Sequence, residues 1–199
     1  MENTKQIFDY LPGIWKITRS ISSKVSNKNW FAEGYAVFSV SKSNSYIIKY
    51  SEKVTMRDLS SDYTNIGTRK YQYKYDENRL LINKYFEDGS LFYRLNISGN
   101  LASGEHLCNQ DKYVSHYIFN SDSNFKLDYI INGPSKRDTI STNYVKIPTE
   151  DIEILGLTSE EVPIFPSSED MFRYLDSYAK SFKINGYLNF NSNVFCRNV

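Results

Sequence analysis

Leu11-Pro12-Gly13-Ile14-Trp15-Lys16-Ile17-Thr18-Arg19-Ser20-Ile21-Ser22 is the stretch on which the reading of this chain turns. From Trp15 onward its residues alternate, with Trp15, Ile17, Arg19 and Ile21 on one face and Lys16, Thr18 and Ser20 on the other. A period of two belongs to a strand with one buried side. Gly13, two residues ahead of an inward Trp, lets the chain bend sharply into a barrel while the indole closes the floor. Trp15 therefore reads as a structural plug. Arg19, four residues on and facing the same way, is a charge aimed at the interior.

The same alternation recurs along the first 147 residues, in segments separated by turn-rich clusters. Strands are predicted over 13–22, 30–40, 46–54, 66–75, 80–86, 91–97, 111–119, 125–132 and 137–147. Asp76-Glu77-Asn78, Glu87-Asp88-Gly89-Ser90 and Ser121-Asp122-Ser123-Asn124 supply the turns between them. So many antiparallel strands with no crossover helix would leave adhesive edges unless the sheet closed on itself. The fold class read from this is mainly β: a closed antiparallel β-barrel of eight to ten strands over 1–147. Residues 148–199 are read as a C-terminal extension, entered through Pro148, Pro163 and Pro166. It is given one amphipathic helix at about 168–184, capped near Ser167 and Asp170. The stripe Met171, Leu175, Tyr178 and Phe182 would pack that helix on the barrel wall.

Composition narrows the function classes. Against 23 Asp+Glu stand 24 Lys+Arg, so no broad field calls for nucleic acid or an anionic membrane. The N-terminal run 1–10 lacks a secretory apolar core, and no stretch reaches the length of a membrane span. Two distant cysteines, Cys108 and Cys196, make a disulfide framework improbable and suit a reducing, cytoplasmic setting. The 17 Tyr and 12 Phe suit pleated, half-buried surfaces and ligand-lining walls. Nothing in the sequence speaks to oligomeric state, and no Gly-rich phosphate loop, nucleophile elbow or cofactor motif occurs.

Alternation also selects candidate site residues. Ala32, Gly34, Ala36 and Phe38 share a face, and such small inward residues are expected to leave free volume. Tyr46, Ile48, Tyr50 and Glu52 share the next inward face, followed by Arg69, Tyr71, Tyr73 and Tyr75. Arg19, Glu52 and Arg69 would then project inside, where charges must pair with each other or meet a ligand. An Arg fork matches a carboxylate or phosphate, so Arg19 and Arg69 favour an anionic ligand group.

His106-Leu107-Cys108, followed by Asp111 and Tyr113, admits three readings: a metal site, an acid/base pair, or a hydrogen-bonded structural cluster, the last preferred. Zinc wants three or four ligands in tighter His/Cys pairing than this, and no metal is expected. An acid/base role needs His106 beside Asp111 or Glu52 in a pocket. Gly133-Pro134-Ser135-Lys136-Arg137 is a turn whose adjacent cations point to opposite faces, and one of them, taken as Lys136, should look into the barrel mouth. Together with Arg19 and His106 it would make an anion funnel.

Leu11-Pro12-Gly13-Ile14-Trp15 with Arg19, Gly34-Tyr35-Ala36-Val37-Phe38, Tyr50 and Glu52, His106-Leu107-Cys108-Asn109-Gln110-Asp111-Lys112-Tyr113 and Gly133-Pro134-Ser135-Lys136 form one pattern. In that order it resembles an uncharacterised family of lipocalin-like bacterial domains, over about residues 10 to 147. The His-x-Cys-x-x-Asp-x-Tyr and Gly-Pro-x-Lys elements carry most of the likeness; Gly-x-Trp is shared by the wider calycin group. The resemblance implies a calycin-type barrel and brings no activity, cofactor or ligand with it.

The leading expectation is a barrel holding a small anionic or amphipathic molecule, with Arg19, Tyr50, Glu52, Arg69, Tyr71, His106, Tyr113 and Lys136 as candidate ligand-binding residues. The alternatives are an enzyme with a His106/Asp111 acid-base pair at the cavity mouth, Glu52 being a third catalytic candidate, and a protein-interaction module built on the C-terminal helix.

Overall fold

The computed structural model describes residues 4–148. A short helix, α1 (Thr4–Tyr10), precedes ten strands. These are β1 (Gly13–Ser23), β2 (Lys28–Ser41), β3 (Asn44–Asp58), β4 (Thr64–Asp76) and β5 (Leu81–Phe86), followed by β6 (Leu91–Ser98), β7 (Leu101–Cys108), β8 (Asp111–Ser121), β9 (Asn124–Asn132) and β10 (Arg137–Lys146). Each pairs antiparallel with its chain neighbours, and β10 pairs with β1, from Trp15 opposite Lys146 to Ser23 opposite Asp138. The barrel is closed, each strand pairing with a neighbour on both sides over at least part of its length.

Of the nine strands predicted, every one is present; the unpredicted tenth is β7. Its inward positions, Ala102, Gly104, His106 and Cys108, are small or polar and so lack the apolar alternation that betrays the others. Closure demands it, because an odd number of strands cannot form a ring in which every neighbour is antiparallel. The helix α1 was also not expected. It buries Ile7 and Phe8 against the floor of the barrel, with Phe8 against the Tyr75 ring, and the Lys146 ammonium donates to the Tyr10 carbonyl at its C-terminus (2.7 Å). The helix expected at 168–184 lies outside the described residues.

The floor half is solid. Trp15 is 1% exposed, donates its indole N–H to the Leu11 carbonyl at 2.9 Å, and packs edge-on against Phe38 and Phe125, as a plug should. Phe125 in turn stacks on Tyr144. Burial along β1, β3 and β4 follows the predicted faces. The small residues of β2 act differently from expectation: a Cβ at Gly34 would sit 2.1 Å from the Lys53 carbonyl oxygen. Gly34 thus admits the β3 backbone at close approach, and the space it saves is occupied by main chain rather than left for a ligand.

One side of the wall is low. β4 meets the short β5 only from Tyr71 onward, and β6 meets β7 only over Asn96–Ser98. Leu91–Leu95 and Gly104–Cys108 therefore face each other without a ladder. Gly104 lets the Tyr93 ring lie where a Cβ would stand, only 2.4 Å from its Cδ2. Cys108 stands at the end of β7; the chain's other cysteine, Cys196, lies outside the described residues.

Candidate functional site

Above the packed floor the barrel opens into a mouth cavity of about 800 Å³, within the range of sites for drug-sized ligands. Its walls are apolar where β1, β2, β3, β9 and β10 contribute Ile21, Trp30, Val54, Met56, Ile131 and Ile140. Polar groups gather at its base and at one rim. Arg19, Glu52 and Arg69 line the base, and Tyr113, Lys136 and Asp138 stand above them.

The base is an ion-pair layer. Arg19 donates Nη1 and Nη2 to the two oxygens of Glu52, each at 2.7 Å, and Nε to Thr142 Oγ1 at 2.9 Å. Arg69 Nε lies 3.6 Å from Glu52 Oε1, and Tyr50 donates its phenol to Glu52 Oε2. Strand register explains the meeting, since Glu52 sits opposite Arg69 across β3 and β4. Burial alone would push the Glu52 carboxyl up, but the Arg19 guanidinium and its hydrogen bonds, with Arg69 and Tyr50, hold it down at about 2. Burial works against the Arg19 cation as well, yet Glu52 raises its pKa further above the ordinary Arg value. Arg19 and Glu52 thus neutralise each other, and Arg69 beside them is more exposed than either.

The rim joins the two sequence elements that carried the family resemblance. The Ser135 N–H donates to Asp111 Oδ1 at 3.2 Å, and Lys136 Nζ to the Tyr113 phenol at 2.6 Å. Gly133 is required there, because a Cβ would stand 2.1 Å from Asp111 Oδ1. Asp111 is therefore a fastener of the β9–β10 turn, and it gives its carboxylate to that turn rather than to His106. Asp138 Oδ1, buried on the cavity wall, has no hydrogen-bond partner among the described residues.

His106 is placed elsewhere. It lines a groove at the low side of the wall, with Phe86, Leu91, Leu107 and the outer face of Arg69 and Tyr71. Its ring stands edge-on to Phe86 and Phe92 and is hydrogen-bonded to the Phe92 backbone, bridging β6 and β7 where their ladder stops. Burial lowers its pKa, partly offset by that bond. His106 and Asp111 are thus held apart, one clasping the open seam and one fastening a turn. Among the described residues no group of three or more His, Cys, Asp or Glu is placed to hold a metal ion, and no helix is long and apolar enough to cross a membrane.

Tyr50 and Tyr71 lie beneath the ion-pair layer, around a deep void of about 20 Å³, room for one water. It shares Arg19, Glu52, Arg69, Tyr113, Ile131 and Ile140 with the mouth cavity, so the layer is a floor to one space and a ceiling to the other. Burial, the largest influence, raises the Tyr50 and Tyr71 pKa values and lifts Tyr144 to about 12, so these phenols stay protonated donors. The void also contains a residue that the sequence reading passed over, Lys84 of β5, 2% exposed. Alternation of Ile82, Lys84 and Phe86 was the signal that it faces inward. Trp30, Met56 and Asp138 were likewise missed as cavity walls.

Among solved structures, an S-type phycobiliprotein lyase, CPES, from Guillardia theta superposes with a TM-score of 0.58 at 6% identity, covering 74% of this chain and 94% of that one. The EF1p2_mFAP2b protein bound to DFHBI gives 0.39 at 11% identity, covering 73% and 100%. A redesigned β-barrel, mFAP0, bound to DFHBI gives 0.36 at 10% identity, covering 69% and 99%. The first of these likenesses is one of fold. No curated protein matches the chain. Residues 11–146, from the residue that receives the Trp15 indole to the last residue of β10, match a family of unknown function, DUF6314, and the chain belongs to that family.

Proposed function

We propose that the barrel binds a small amphipathic molecule whose apolar body fills the mouth cavity and whose anionic group docks between Arg69 and Lys136. The observation that carries this is an ample cavity with apolar walls, with the Arg69 guanidinium at its base and the Lys136 ammonium at its rim. A guanidinium beside low-dielectric walls holds an anion far more firmly than one in open water. The unpartnered Asp138 Oδ1 supports the reading, because it offers an acceptor to a hydroxyl or amide of the ligand body. Arg19 orients Arg69 through Glu52 and is not itself the anion's partner. His106, at the separate groove, takes no part.

Two fluorescent probes that differ by one charged group test this: 8-anilinonaphthalene-1-sulfonate and its uncharged parent, N-phenyl-1-naphthylamine. The sulfonate should bind more tightly. Arg69→Met and Lys136→Met should each weaken it about tenfold, the range for a charge-assisted hydrogen bond, and leave the neutral probe unchanged. Equal affinities for the two probes, or sulfonate binding indifferent to both substitutions, would overturn the proposal.

A further inference from the structure

Lys84 is an amine buried in the barrel interior among phenols and aromatic ring faces. Its strand partners are Tyr73 on β4 and Tyr93 on β6. Its Nζ donates to the phenols of Tyr129 at 3.1 Å and Tyr93 at 3.3 Å, and stands 4.1 Å from the centre of the Tyr71 ring. Those phenols continue as a chain, with Tyr93 bonded to Tyr129 at 2.5 Å and to Tyr117 at 2.7 Å. Glu52 is the acid whose charge favours the ammonium, and it is already held by Arg19 on both oxygens, while Arg19 and Arg69 oppose a third cation. Burial, the dominant influence, drives the Lys84 pKa well below the ordinary lysine value. An apolar side chain of this length would fill the same space without the desolvation cost.

We infer that Lys84 is the nucleophilic amine of the barrel and captures the carbonyl group of an aldehyde or ketone ligand as an imine, in the void beneath the Arg19–Glu52–Arg69 layer. The inference rests on the binding reading above and deepens it: the ligand class becomes an amphipathic carbonyl compound with its anionic end at Arg69 and Lys136. The geometry supplies each requirement. The amine lines the void, the void has room for one small polar group, and it is divided from the mouth cavity only by side chains that line both, Arg19, Glu52 and Arg69 among them. Neutral amine is the reactive form, and burial away from water favours it. The Nζ lone pair forms the C–N bond, and one N–H proton passes to the carbonyl oxygen. Loss of that hydroxyl together with the second N–H proton, as water, leaves C=N. The phenols of Tyr93 and Tyr129 can relay both protons, and no oxidant or reductant is consumed.

The test uses the full chain and 4-formylcinnamic acid, which carries an aldehyde and a carboxylate at opposite ends, with 4-methylcinnamic acid as its non-carbonyl twin. After incubation at pH 7 and trapping with sodium cyanoborohydride, peptide mapping should place one adduct on Lys84. Labelling there should run about tenfold or more ahead of exposed lysines such as Lys16 and Lys49. Lys84→Met should lose the fast adduct and still bind 4-methylcinnamic acid. If 4-methylcinnamic acid binds while label is spread over exposed lysines and Lys84 stays bare, the imine is refuted and the binding reading survives. If neither compound binds, the binding reading fails and the inference falls with it.

Discussion

Replacing Glu52 with Gln keeps the shape of the side chain and removes the charge that Arg19 grips from both sides. In the folded protein the carboxyl is held at about 2, against 4.5 ordinarily. A depressed folded pKa means that the unfolded chain binds the proton more readily, so the stabilisation is complete above 4.5 and is lost as pH falls toward 2. From 4.5 to about 2, at roughly 1.4 kcal/mol for each pH unit, the ionised carboxylate contributes about 3 kcal/mol at neutral pH. Glu52→Gln also leaves Arg19 buried without its counter-charge, so the loss at pH 7 should reach roughly 3–5 kcal/mol. The double substitution Arg19→Met with Glu52→Leu should restore most of it, because the buried Arg19 cation is removed together with its counter-charge. The assay is urea unfolding at pH 7, 5 and 3 for all three proteins. The wild type should lose its advantage over Glu52→Gln as pH falls below about 4.5. Parallel decline of both proteins through that window would refute the assignment, as would a double variant no more stable than the single one.

Gly34→Ala would drive a methyl to 2.1 Å from the Lys53 carbonyl, main chain that cannot step aside, and should cost about 3 kcal/mol in urea unfolding. Gly67→Ala, whose Cβ meets the flexible Met56 thioether at 3.1 Å, is the control and should cost less than about 1 kcal/mol. His106→Gln removes the clasp on the β6–β7 seam. Amide hydrogen exchange over 91–95 and 104–108 should quicken about three- to tenfold, the equivalent of roughly 1 kcal/mol, while sulfonate probe affinity stays unchanged. A changed affinity would place His106 in the binding site after all.

Period-two alternation was enough to read nearly the whole wall, because a strand buried on one side has to declare that side in its side chains. Trp15, Arg19, Glu52 and Arg69 were legible on that rule alone. β7 was not, since a strand facing a low, half-open seam needs no apolar row; strand parity around a closed ring was the cue that would have supplied it. Gly34 was read as empty volume because a sequence cannot show that the neighbouring main chain moves in. His106 and Asp111, five residues apart, looked like partners, but the hairpin between them sends one to the seam and the other to the turn. Lys84 was hidden by its company: beside Asn83 and Tyr85, a lysine reads as solvent-facing until Ile82 and Phe86 are seen to share its side.

The protein has two tryptophans, and the barrel sets them at opposite ends. Trp15 lies sealed in the floor among Phe38 and Phe125, whereas Trp30 forms part of the mouth cavity with Tyr63 against its ring. Their emission divides accordingly into two channels. A Trp30→Phe protein reports through Trp15 on whether the barrel is folded, and a Trp15→Phe protein reports through Trp30 on whether the mouth is occupied. The molecule is its own two-colour indicator, needing no attached dye to separate loss of ligand from loss of fold.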